Sequence, residues 1–181
     1  MNDIATTLKE NTHKPVKITI TLPTHAYFMS GIRDFTISLI KNTTEFSEQW
    51  AYRFQSVVDE LCNNAIEHGS KPGEDIKITF IYNPDESIEI DVEDSGTGMN
   101  PKKAADIKLL VDQFVQQNIP MANIRGRGLA KIVHEWTDEL EFIDKPEGGL
   151  KVRVVKYLTH IETEVLKKGF AYSEDKTHIL I

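Results

Sequence analysis

At 181 residues the chain is long enough for one domain with a full-sized core, and its 40% hydrophobic and 27% charged residues are ordinary for a globular protein. A formal charge of −7 argues against direct nucleic-acid binding, which needs clustered Lys and Arg on phosphates. No apolar run approaches the ~18–20 residues of a membrane span, no secretory signal is visible, and the lone Cys62 excludes an internal disulfide or a multi-cysteine zinc site, so the expectation is a cytoplasmic protein with no membrane partner.

Residues 1–15 are polar and patternless, as in a flexible N-terminal tail. Val16, Ile18, Ile20 and Leu22 alternate with polar residues, which predicts a half-exposed strand stopped by Pro23. Thr24 is placed to cap a helix carrying Phe28, Ile32, Phe35 and Leu39 on one face. Asn42-Thr43-Thr44 breaks that helix, and Ser47 with Glu48 starts the next. This central helix has Trp50, Phe54, Val57, Leu61 and Ala65 on one face and ends at Gly69 and the loop 70–73. Cys62 lies among its core positions and reads as a buried structural thiol.

Ile76, Ile78, Phe80 and Tyr82, then Ile88, Ile90 and Val92, alternate on either side of Asn83-Pro84-Asp85-Glu86, an antiparallel hairpin. Asn100-Pro101 opens a helix over about 102–117 through Ile107, Leu110, Val111, Phe114 and Val115. Residues 118–124 show no pattern. A helix from Gly126 through Leu129, Ile132, Val133 and Trp136 leads to a strand at Leu140 and Phe142, a turn at 146–149, and a returning strand at Leu150, Val152 and Val154. Paired strands and grouped helices predict an α+β fold, a two-layer sandwich with helices on one face of a mostly antiparallel sheet. Residues 157–181 hold a short helical piece near 161–168 and an apolar end; they either dock on the sheet or bind a partner.

Three stretches concentrate chemistry. Glu60 and Asn64 stand one helical turn apart at the margin of the apolar stripe. That suits a pocket wall or, equally, a solvated polar pair. Asp94-Ser95-Gly96-Thr97-Gly98-Met99 ends a strand in an acid and a Gly-x-Gly. Arg125-Gly126-Arg127-Gly128-Leu129 opens a helix with a second. Each glycine pair alone marks an ordinary turn. In this order the three resemble the N box and the two glycine boxes of the GHKL (Bergerat-fold) ATP-binding superfamily, over residues 16–156. Within it the chain is most similar to the bacterial anti-sigma-factor serine/threonine kinases.

The resemblance implies ATP and Mg2+ as ligands. Asp94 would accept a hydrogen bond from the adenine amine, with Gly96 and Gly98 letting the backbone turn at positive φ and approach the base. Asn64 would hold magnesium together with triphosphate oxygens. Gly126, Gly128 and Leu129 would present amides to the phosphates, without the lysine of a P-loop. Glu60 would be the general base. Arg125 and Arg127 would touch the γ-phosphate or simply face solvent. Met99 to Ile124 would form a lid. His68 reads as a structural residue at the helix end. One departure stands out: Leu150 and Lys151 occupy the place after Gly148-Gly149 where many relatives carry a threonine on the adenine side.

The resemblance further implies a homodimer that sequesters a sigma factor and phosphorylates a STAS-domain anti-anti-sigma protein. Sensor histidine kinases carry a preceding dimerisation segment, for which residues 1–15 are too short. Gyrase-like and chaperone relatives need a further domain after the ATPase. The alternative is a non-catalytic, nucleotide-gated protein-binding module of the same fold.

Overall fold

The computed structural model describes residues 14–99, 101–116 and 136–159. Five strands and three helices are seen there: β1 (Val16–Pro23), α1 (Met29–Thr43), α2 (Glu48–Asn64), β2 (Asp75–Asn83), β3 (Ser87–Glu93), α3 (Ala104–Gln116), β4 (Glu139–Asp144) and β5 (Leu150–Tyr157). The strands form one fully antiparallel sheet in the order β1-β2-β3-β5-β4, with helices packed on one side. The expected α+β sandwich is therefore what the chain forms. Among the described residues no helix is long and apolar enough to cross a membrane.

The period-two pattern of each strand becomes two sheet faces. Ile76, Ile78 and Phe80 of β2, Ile88, Ile90 and Val92 of β3, and Val154 of β5 are buried on the helix side. Trp50, Phe54, Val57 and Leu61 of α2, and Ala65 just after it, meet them, all buried, as the three-and-four spacing requires. Each such large side chain contributes about 1.5–3 kcal/mol when fully buried. Phe46, Trp50 and Phe54 pack edge-on or tilted at 5.1–6.2 Å between ring centroids and anchor the start of α2. Cys62 is wholly buried, and burial pushes its thiol up to about 12, so it is a core residue and no nucleophile.

Local chemistry departs from the sequence expectations at four places. Thr24 caps no helix: its hydroxyl donates to the carbonyls of Lys71 and Glu74 at 2.7 and 3.0 Å, tying the end of β1 to the loop after α2. The acceptor for the turn Ala26–Phe28 that leads into α1 is His25 Nδ1. Ser47 occupies the N-cap of α2, yet its side chain makes no cap bond, and Glu48 pairs instead with Lys41 of α1 at 2.7 Å. The third difference is at α3, which starts at Ala104, two residues later than expected. Its first amide is capped from a distance by Asp144 Oδ1 at 3.1 Å, a tertiary partner that no local pattern reveals. Finally, α2 does not run regularly to Gly69. It widens into a π-helical turn over Ala65–Gly69, a distortion that often accompanies functional sites.

The β2–β3 hairpin closes through three residues, with Asp85 at φ 61°, a conformation Asp tolerates. Returning strand β5 runs to Tyr157, one residue past the boundary expected for the domain. The tail before Lys14, the expected helix from Gly126 up to Trp136, and the extension beyond Thr159 lie outside the described residues. Trp136 itself is half-buried against the core.

Candidate functional site

The chain leaves β3 at Glu93 and pairs with it again only in β5, because β4 takes the sheet edge. The intervening excursion opens a cavity of about 510 Å³ between the end of α2, the inner face of β3–β5–β4 and α3. Its floor is the inner row Val92, Val152 and Phe142, and its walls include Leu61 and Ala65 of α2 and Leu110 of α3. An apolar slot with a few polar groups converging on it suits a flat heterocycle.

Asp94 stands at the head of this slot. Its N–H donates to Leu150 O at 3.0 Å, so the β3–β5 ladder runs one residue past the strand. Its Oδ1 accepts from Gly96 N at 2.8 Å and from Leu150 N at 3.0 Å. Two backbone donors thus orient the carboxylate, and among the described residues nothing donates to Oδ2. An acceptor held this way can receive an exocyclic amine. Leu150 contributes through its main chain here, so the missing threonine hydroxyl leaves Asp94 well oriented. Lys151 is turned to the outer face, where it pairs with Asp91 at 3.3 Å.

The backbone around Asp94 is packed too closely for side chains. Gly96 has φ +68°, and Gly149, at φ +87°, presses on Asp94 O, where a Cβ would sit 2.3 Å away. Gly98 is not at positive φ. What requires glycine there is the carbonyl of His68, 2.0 Å from where its Cβ would be. Gly98 therefore seats the loop on the helix end, with its N–H on Gly69 O at 3.2 Å, and the expectation of positive φ at this position is corrected. Hydroxyls complete the brace: Ser70 Oγ accepts from Ser95 N and Thr97 Oγ1 accepts from Lys71 N, both at 3.0 Å.

Glu60 and Asn64 lie on the last turns of α2 as the helical spacing requires. Both are half-buried, and Asn64 Nδ2 donates to Glu60 Oε1 at 3.1 Å. Asn64 lines the cavity; Glu60 does not. Their bond leaves Asn64 Oδ1 free to face a cation. Among the described residues no cluster of three or more His, Cys, Asp or Glu could hold a metal by itself. This set fits magnesium brought with a polyphosphate, which needs only one or two protein oxygens.

Met99 has a fully exposed side chain and stands outside the cavity lining. Arg125, Gly126, Arg127, Gly128 and Leu129 lie outside the described residues. Sequence reasoning missed Gly69, whose added Cβ would meet the Asp94 carboxylate at 2.3 Å, and missed Lys102, Lys103 and Asp144 on the cavity wall. No local pattern marks these, since tertiary folding alone brings them to the slot. The sequence expectation for His68 is a structural role. Its carbonyl does carry a structural contact, but its side chain is exposed and lines the cavity.

A two-layer α+β domain with a carboxylate-headed apolar slot at the end of a helix carrying Glu and Asn defines a nucleotide-binding module. A family model described as the histidine kinase-like ATPase domain matches residues 23–156, and the chain belongs to this family. It is thus an ATP-binding module of the GHKL superfamily. No curated protein matches the chain.

Proposed function

We propose that the protein is an ATP-dependent protein serine kinase that acts as an anti-sigma factor. It sequesters a sigma factor and phosphorylates a STAS-domain anti-anti-sigma protein, working as a cytoplasmic homodimer. The observation that supports this best is the Glu60–Asn64 pair, bonded at 3.1 Å with Asn64 inside the cavity and Glu60 just outside it. A base beyond the cavity lining suits a hydroxyl delivered by another protein better than a water trapped beside the base.

In this reading Asp94 Oδ2 accepts from the adenine amine, and the apolar slot holds the ring. Asn64 Oδ1 would hold magnesium, which when bound would supply charge neutralisation on the phosphates. The family resemblance assigns the phosphate end to Gly126, Gly128 and Leu129 with Arg125 and Arg127, and a lid beginning at Met99. The substrate serine Oγ forms a bond to the γ-phosphorus. The bond from that phosphorus to the β–γ bridging oxygen breaks, ADP keeps the electron pair, and Glu60 takes the hydroxyl proton. A positioned base contributes ~10²–10⁴-fold, and most of the remaining acceleration comes from alignment and charge neutralisation.

The test is calorimetric titration of magnesium-ATP, followed by mass spectrometry after incubation with a STAS-domain protein encoded beside it. The expected result is one phosphate on the STAS-domain protein with the wild type. Glu60→Gln should bind ATP normally and transfer at least ~100-fold more slowly. ATP binding with no transfer under any condition would replace the kinase by a nucleotide-gated sequestering module.

A further inference from the structure

We propose that Lys102 and Lys103 form a cationic contact for the phosphates of the bound nucleotide, carried on a strap across the cavity mouth. The inference rests on reading the cavity as the ATP site. The strap is fixed at both ends, on opposite walls. At one end Gly98 N donates to Gly69 O at 3.2 Å, and the absent Cβ of Gly98 lets the loop lie on the His68 carbonyl. At the other end Ala104 N donates to Asp144 Oδ1 at 3.1 Å, on the terminus of β4. Between these anchors Pro101, Lys102 and Lys103 have no regular secondary structure, and all three line the cavity.

The two ammonium groups are uncommitted. Both side chains are exposed, and among the described residues neither lysine has a carboxylate within ion-pair distance. Four lysines on or beside the sheet are engaged, Lys77 and Lys145 on Glu93, Lys151 on Asp91 and Lys156 on Asp138, whereas Lys17 of β1 makes no ion pair among the described residues but lies outside the cavity. In a chain of formal charge −7, two free cations over an apolar slot create a local site for an anion. Asp144, the acid beside them, has Oδ1 occupied by Ala104 N. With the heterocycle in the slot below, phosphate oxygens are the part of a nucleotide left to meet the strap. A lysine recognises phosphate as a point charge on a flexible stem, so it needs proximity more than a fixed fork geometry. This contact is additional to any made by Gly126 and Gly128.

The experiment is calorimetry of adenosine, ADP and ATP, each with magnesium, on wild type and three variants. Lys102→Gln/Lys103→Gln should weaken ATP about tenfold, the sum of two solvent-accessible charge contacts, and adenosine less than about twofold. ADP should fall between. Lys102→Arg/Lys103→Arg should restore ATP binding, and Lys108→Gln, an exposed α3 lysine outside the cavity, should leave all three affinities unchanged. Raising the salt concentration should weaken ATP less in the Gln pair than in wild type. An unchanged ATP affinity in the Gln pair, or an equal loss for adenosine and ATP, would overturn the assignment. Wild type binding adenosine as tightly as ATP would remove the strap contact alone; wild type binding neither would remove the nucleotide reading with it.

Discussion

Along the row Ile20–Ile78–Val92–Val152–Phe142 the inner face of the sheet is apolar from edge to edge. One residue over on each strand, the outer row Thr19–Thr79–Asp91–Arg153–Glu141 is polar from edge to edge. Thr19 and Thr79 share a hydrogen bond at 3.1 Å, and Arg153 meets Glu89, Glu139 and Glu141 at 2.8–3.1 Å. The inner row packs the core and floors the cavity; the outer row is held by polar contacts on its own face. Two aspartates three residues apart display the difference. Asp91 sits in the outer row, with Oδ2 on Lys151 and Oδ1 buried without a hydrogen-bond partner among the described residues. Asp94, past the end of the strand, lines the slot with its Oδ1 held by two amides and, among the described residues, nothing donating to Oδ2. The same residue type meets a lysine on the outer face and two backbone amides at the head of the slot.

The largest effect expected is at the backbone seat of Asp94. Gly149→Ala puts a Cβ 2.3 Å from Asp94 O at φ +87°, and should cost about 3 kcal/mol in chemical denaturation while also weakening ATP. A stable variant with normal ATP affinity would mean the seat is not needed to aim the carboxylate. Asp94→Asn should separate recognition from stability. Its oxygen can still accept from Gly96 and Leu150, but an amide NH2 replaces the acceptor facing adenine. ATP affinity should drop about hundredfold in calorimetry, with the unfolding free energy changed by no more than ~1 kcal/mol.

On the outer face the pattern should reverse. Glu89, the first of its hydrogen-bonded carboxylates, raises the Arg153 pKa above the ordinary guanidinium value. Arg153→Ala should cost about 1–2 kcal/mol of stability, since the group is only partly screened, and leave ATP binding unchanged. A loss of ATP affinity in this variant would show that the two faces are coupled. The smallest effect is at Asp91, whose pKa is raised chiefly by burial, against the pull of Lys151. A raised folded pKa means the unfolded chain gives up this proton first as pH rises. The stabilisation from Asp91 is therefore complete below the ordinary carboxylate range and is lost as pH climbs through the folded value. Wild type should lose stability relative to Asp91→Asn as pH rises above the ordinary carboxylate range in paired denaturation curves, by ~1 kcal/mol or less, with ATP affinity the same in both.

Much of the frame was legible because it rests on short-range periodicity. The stripe from Trp50 to Ala65 places α2, the alternation in 76–82 and 88–92 places the central hairpin, and the i, i+4 spacing brings Glu60 to Asn64. Caps were harder to read. Thr24 and Ser47 have the right chemistry at the right positions, yet the hydroxyl of Thr24 serves a loop some fifty residues away and that of Ser47 makes no cap bond. A local rule cannot see a competing tertiary acceptor. No local pattern marks the π-helical turn at Ala65–Gly69 either, whose last carbonyl accepts from Gly98 N in a loop some thirty residues on.

By itself the sequence determined the layer order of the domain, the core face of each element and the identity of the three motif stretches, since those follow from residue period and backbone chemistry. Tertiary structure alone decided that Asp94 is aimed by the amides of Gly96 and Leu150, that Gly69 and Gly149 make room for it, and that Asp144 fixes the strap bearing Lys102 and Lys103. Those contacts join residues up to 56 positions apart along the chain, and the longest of them, Leu150 N on Asp94 Oδ1, forms because β5 closes onto β3.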